Sequence, residues 1–141
     1  MPTPEDLNPD MHIGIKLPIR SGDVGYFDST KTHLEQAKHN LRNLLLTVKG
    51  ERPMQPDLGC DIWKLVFNPQ DDQIETKVQD VIKDAVSLWL PYLQIKQCKV
   101  VSTFTEIDNN ILHIECIFSL VSDPDSYETL TFNIQDNFTD R

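Results

Sequence analysis

Between two apolar stretches the chain runs through Lys49-Gly50-Glu51-Arg52-Pro53-Met54-Gln55-Pro56-Asp57-Leu58-Gly59-Cys60-Asp61, a connection holding two prolines and two glycines. It follows one amphipathic helical pattern directly and leads into Ile62-Trp63-Lys64-Leu65-Val66-Phe67. Proline presets φ and glycine opens turns closed to other residues, so the path of this segment is fixed locally. A connection that stiff, with Glu51, Arg52, Asp57 and Asp61 along it, either braces a helix pair or presents a docking surface.

The flanking sequence sorts by period. Residues 1–10 hold three prolines and read as a flexible arm, ahead of a single domain over 11–141. Met11, Ile13, Ile15, Leu17 and Ile19 alternate with polar residues or glycine, as a half-buried strand does, and Pro18 puts that end at a sheet edge. Val24, Tyr26 and Phe27 are placed to return as a second short strand. Ser29 or Thr30 caps a helix with Leu34, Ala37, Leu41, Leu44, Leu45 and Val48 on one stripe, and Gly50 ends it. A short helix spans about Asp61–Phe67 and stops at Asn68-Pro69. The third opens at Asp71 or Asp72, turns Ile74, Val78, Val81, Ile82, Ala85, Leu88 and Trp89 inward, and stops before Pro91.

From there the period is two. Lys99–Ile107 reads as a strand and Asp108-Asn109-Asn110 as a hairpin turn. The strand that follows points Leu112, Ile114, Cys116, Phe118 and Leu120 inward, with His113, Glu115 and Ser119 outward. Asp123-Pro124-Asp125 turns the chain into a last strand of Leu130, Phe132 and Ile134. The expected fold class is α+β: three helices packed on one face of a small antiparallel sheet, with an N-terminal edge strand or hairpin.

Composition removes several functions. A net charge of −9 opposes sequence-independent binding to DNA or RNA and repels an anionic membrane surface. No apolar run approaches the ~20 residues of a membrane span, and the acidic, proline-rich start is unlike a secretory signal. Cys60, Cys98 and Cys116 are odd in number and lack Cys-x-x-Cys spacing, which suits packed free thiols in a reducing cytoplasm. His12, His33, His39 and His113 show no metal spacing, and Gly22-Asp23-Val24-Gly25 is no phosphate loop. No metal and no cofactor is expected.

The connection has a family likeness. Lys49-Gly50-Glu51-Arg52-Pro53, Pro56-Asp57-Leu58 and Gly59-Cys60-Asp61, continuing into Leu65-Val66-Phe67 and the Ser122-Asp123-Pro124-Asp125 turn, resemble the inner baseplate wedge proteins of contractile-tailed phages. Sheath-initiating subunits of type VI secretion and related injection systems are counterparts of that family. The resemblance runs over roughly residues 30–135, with order, spacing and turn chemistry in agreement. It implies a structural, non-enzymatic subunit joining the inner wedge and tail tube region to the first sheath ring. The implied partners are other wedge proteins and tube or sheath subunits, in a hetero-oligomer of six-fold symmetry, within a virion tail baseplate assembled in the host cytoplasm.

Three surfaces follow as partner-binding candidates. The first is Glu51 and Arg52 on the connection. The second is the corner Leu90-Pro91-Tyr92, where family members carry Glu-Pro-Arg: the proline is kept and both charges are absent, so the turn carries over and the ion pair does not. Tyr92 either closes that corner or stands out as an anchor. The third is Ile13, Ile15 and Leu17 on the edge strand. The resemblance implies strand exchange with the sheath there, against the plainer alternative of an edge covered by the chain's own helix.

The family has also carried a lysozyme label. Glu51, Asp57, Asp61 and Trp63 are the residues a sugar site would draw on. Asp61, however, suits a helix N-terminus, and Glu51 beside Arg52 has the wrong neighbour for a raised pKa. No residue is therefore assigned a catalytic role; a peptidoglycan hydrolase and the equivalent subunit of an injection system are the alternatives.

Overall fold

Thr32 starts the first long helix, α1 (His33–Leu46): its hydroxyl accepts the Glu35 amide at 3.2 Å, while the Glu35 carboxylate accepts the Lys31 amide at 3.2 Å. This reciprocal cap satisfies two amides at the helix start, and it falls two residues beyond the Thr30 expected from sequence. In this computed structural model, which describes residues 4–8, 10–22, 25–66, 73–101 and 111–135, α1 buries Ala37, Leu41, Leu44 and Leu45. Val48 is exposed instead of completing the stripe, because the helix ends at Leu46 and the Thr47 amide turns back to the Asn43 and Leu44 carbonyls.

A one-turn helix, α2 (Trp63–Val66), leads to α3 (Ile74–Trp89), which follows Gln73. Candidate caps Asp71 and Asp72 and the Asn68-Pro69 break lie outside the described residues. Val78, Ile82, Ala85 and Val86 form the buried stripe of α3. Leu88, expected inward, is exposed: six residues after Ile82 is well over a turn and a half, which rotates it off the stripe.

β3 (Leu93–Val100), β4 (Ile111–Leu120) and β5 (Tyr127–Gln135) form an antiparallel meander in the order β3-β4-β5. Both long helices pack on one face, α3 over β3 and α1 over β5 and β4. β3 starts six residues earlier than the expected Lys99, with a bulge between Ile95 and Gln97 that shifts its register, and residues 102–107 of the expected strand lie outside the described residues. Its core-facing residues are Leu93 and Ile95 before the bulge and Cys98 and Val100 after it, so no single period of two runs through the strand. The expected turn at 108–110 lies outside the described residues. β4 buries Leu112, Ile114, Cys116 and Phe118 as expected, but Ser119 is also buried. It sits between Gln94 and Tyr127 in the register, and a short side chain between two long ones is shielded from water.

The N-terminal strand is much shorter than its apolar alternation suggests. Among the described residues, β1 (Gly14–Ile15) pairs with β2 (Ser29–Thr30), flanked by the Ile13 and Lys16 amides donating to Thr30 and Asp28, and not with Tyr26 or Phe27; Val24 lies outside the described residues. The hairpin lies on α1: the Gly14 backbone approaches so closely that a Cβ there would meet the Gln36 amide. Ahead of it, Pro4–Leu7 form a 3-10 turn, and the Asp6 carboxylate accepts both the His33 amide and its ring Nδ1, each at 2.8 Å. A carboxylate at that point meets the positive end of the α1 dipole.

Candidate functional site

The connection after α1 is folded back on the helix end. The Gly50 amide donates to the Pro56 carbonyl at 2.7 Å, the Gln55 amide to Arg52, the Leu58 amide to Gln55, and the Cys60 amide to Thr47 at 3.0 Å. Gly50 and Gly59 take φ of +90° and +132°, which other residues resist. The Cys60 thiol is buried and points to the Val81 carbonyl of α3 at 3.9 Å. The connection therefore braces α1 to α3 and still leaves residues 51–57 exposed.

The Glu51 carboxylate accepts the Val48 amide at 3.2 Å, so it closes the loop on itself. Arg52 points back to α1, its guanidinium donating to the Asn43 side chain at 3.4 Å. Asp61 lies between Lys64 at 2.9 Å and Lys49 at 3.0 Å. Hydrogen bonds from these two ammonium groups, Lys64 first, hold its carboxyl below the usual aspartate range, and the Asp61 bond raises Lys49 in turn. A glycosidase acid needs the opposite shift.

At the second candidate surface, the Leu90 amide closes α3 on the Val86 carbonyl, the Leu93 amide donates to Leu90, and the Val121 amide donates to Tyr92. Leu90 packs on the core; Pro91 and Tyr92 are exposed. Tyr92 is 41% exposed and its hydroxyl accepts the Asn40 side-chain amide of α1 at 2.9 Å. At the third surface, Ile13 and Leu17 are half-buried and Ile15 is 49% exposed. The Leu17 amide donates to His39 Nδ1 of α1 at 3.2 Å, so helix α1 covers part of that edge.

One face of α1 thus touches all three surfaces. Thr30 donates to Gln36, Gln36 donates to Asn40, and Asn40 donates to Tyr92, at 2.6, 2.9 and 2.9 Å. His39 and Asn43 reach the edge strand and Arg52. Of these four α1 residues only His39 stands out at the sequence level, as a histidine without metal spacing, and none is assigned a role at the surface there. The available signal was chemical: amides recur at 36, 40 and 43, one turn apart, where solvent-facing helix positions more often carry Lys or Glu.

Cys98 and Cys116 are buried opposite each other on β3 and β4, their sulfurs 3.0 Å apart as free thiols. The contact with Cys98 and burial both push the Cys116 thiol up. Among the described residues, no group of three or more His, Cys, Asp or Glu is arranged to hold a metal ion, and no helix is long and apolar enough to cross a membrane.

A family model described as baseplate wedge protein gp25 matches residues 31–125. The baseplate wedge protein gp25 of Enterobacteria phage T4 is 27% identical over 101 residues, spanning 72% of this chain and 74% of the phage protein. Among solved structures, a tail-lysozyme candidate from Geobacter sulfurreducens aligns with a TM-score of 0.65 at 23% identity, covering 77% of this chain and 95% of its own. A chain of the anti-feeding prophage baseplate aligns at 0.57 and 17% identity, covering 89% and 86%. At those identities, the two structures speak for the fold.

Proposed function

The chain belongs to the gp25 family of baseplate wedge proteins, and from that membership we propose that it is a non-enzymatic structural subunit of a contractile tail baseplate. It joins the inner wedge and tail tube region to the first sheath ring, in six-fold repeat, within a virion tail assembled in the host cytoplasm. The observation that carries this reading is the family match over residues 31–125, which spans both long helices, the bracing connection and most of the sheet. Its contacts run through Glu51 and Arg52, the corner Leu90-Pro91-Tyr92, and Ile13, Ile15 and Leu17. The α1 side-chain network supports treating these as one coupled surface, since a partner seated on any of them touches residues bonded to the same helix.

The clamped Asp61 carboxylate speaks against the hydrolase alternative. Mass spectrometry of gradient-purified contractile particles, with intensities scaled to the tube protein, tests the reading. Presence at a small multiple of the six-fold repeat is the expected result; absence from intact particles would overturn it. The genes beside this one separate a phage tail from an injection system: capsid and terminase genes mark the first, membrane-complex genes the second.

A further inference from the structure

Where the edge strand, the second half of α1 and the connection meet, the surface sinks into an open groove of about 560 Å³. Leu17, Pro18, Leu46 and Pro53 supply its apolar walls, and Arg42, Arg52 and Glu51 its charges. The charges are unequal in availability. Glu51 is engaged with the Val48 amide. Neither guanidinium meets a carboxylate within salt-bridge distance among the described residues; Arg52 has only the long bond to Asn43. Two unneutralised arginines in one groove are notable on a chain of net charge −9, whose other described ion pairs take up Lys16, Lys38, Lys49 and Lys64.

Guanidinium groups present planar forks of donors that match a carboxylate. Apolar walls around them add area that excludes water and strengthens the polar contact. We infer that this groove receives a carboxylate-bearing protein segment, an Asp or Glu flanked by an apolar residue, from a neighbouring baseplate chain. Arg42 and Arg52 hold the carboxylate while Leu17, Pro18, Leu46 and Pro53 pack its neighbour. The identity of the donor chain rests on the functional reading above; the chemistry of the groove does not. A nucleic-acid strand is the poorer occupant, because the surrounding negative charge opposes each further phosphate beyond the first.

The test uses the full chain and short synthetic peptides tiled across the baseplate proteins encoded beside its gene, with binding read by fluorescence polarisation. Expected is saturable binding of an acidic peptide that weakens about tenfold when its Asp or Glu becomes the amide. The same loss is expected with Arg42→Gln or Arg52→Gln, no change with Arg20→Gln outside the groove, and weaker binding as salt is raised. Both groove arginines are exposed, so these variants leave the fold intact, as circular dichroism melts will show. Binding insensitive to both groove substitutions, binding only of neutral or basic peptides, no binding of any peptide, or displacement by an oligonucleotide more readily than by the amide peptide would each overturn the assignment. All are read on the isolated chain and stand apart from whether the chain is found in particles.

Discussion

Gly59→Ala isolates the contribution of the stiff connection. Gly59 has φ of +132°, and a methyl built on it would lie 2.5 Å from the Thr47 carbonyl oxygen and 3.0 Å from the Lys49 amide nitrogen. The Thr47 oxygen accepts the Cys60 amide at 3.0 Å, so it cannot withdraw without loosening the bond that returns the loop to α1. A side chain in such a backbone conformation costs ~1–3 kcal/mol, and losing the hydrogen bond adds about 1 kcal/mol. Together they give about 2–4 kcal/mol. At roughly 3 °C per kcal/mol for a domain near this size, Tm falls by about 6–12 °C. Gly50→Ala is the control: its φ is +90°, yet nothing lies within 4 Å of the added methyl, which leaves only the backbone cost of about 1–2 kcal/mol. Circular dichroism melts of both variants supply the comparison. Equal shifts, or an unmoved Tm for Gly59→Ala, would refute the claim that the loop is held by close approach to the helix end.

Four further outcomes are expected. Asp61 has a folded pKa below its unfolded value, so its contribution is present above the ~3.9 of an unfolded aspartate and is lost as pH falls through the folded pKa; the Tm deficit of Asp61→Asn at pH 7 should vanish in acid. Burial pushes the Cys60 thiol up to about 11, leaving roughly a thousandth as thiolate at pH 8, so it should react with a disulfide reagent only after unfolding. Gln36→Ala and Tyr92→Phe should be non-additive in a double-mutant cycle by about 0.5 kcal/mol or more if Asn40 couples them; additivity would mean the chain of bonds is not cooperative. The backbone of β1 and β2, joined over two residues each, should exchange amide hydrogens quickly in the isolated chain and slowly in assembled particles. Equal rates in both would remove the hairpin from the contact surface.

What could be read from sequence divides along physical lines. The sheet core was legible in Leu112, Ile114, Cys116 and Phe118 and in Leu130, Phe132 and Ile134, because one face is wet, the other is dry, and alternation survives where no bulge intervenes. It failed in β3 for the converse reason: the bulge between Ile95 and Gln97 changes the parity of burial. The N-terminal alternation was real as a pattern but not as a buried face. Ile15 and Ile19 stay exposed at 49% and 62%, since none of the described residues covers that side. The three candidate surfaces were marked by proline, glycine and charge. Their link through Gln36, His39, Asn40 and Asn43 left only the recurrence of amides at 36, 40 and 43 as a signal, because the groups that His39 and Asn40 reach, Leu17 and Tyr92, lie far away in sequence.

That link bears on how a small domain can take part in a contracting machine. A contact surface gains affinity when its parts are held in place before the partner arrives, since less freedom is then lost on binding. The connection is held by backbone bonds and two glycines, the corner by three backbone bonds and Asn40, and the hairpin by Gln36 and His39. The hairpin is the least constrained of the three, with two paired residues per strand and exposed Ile15, Ile19, Tyr26 and Phe27. If one surface adapts while the others stay fixed, it is this one. A partner that orders it acts on β2, and Thr30 of β2 is bonded to Gln36 and through it to Asn40 and Tyr92. Ordering the hairpin therefore favours the same α1 side-chain arrangement that fixes the corner. If the double-mutant cycle shows that coupling, linkage makes it mutual: a partner seated at either surface strengthens the other by the same factor.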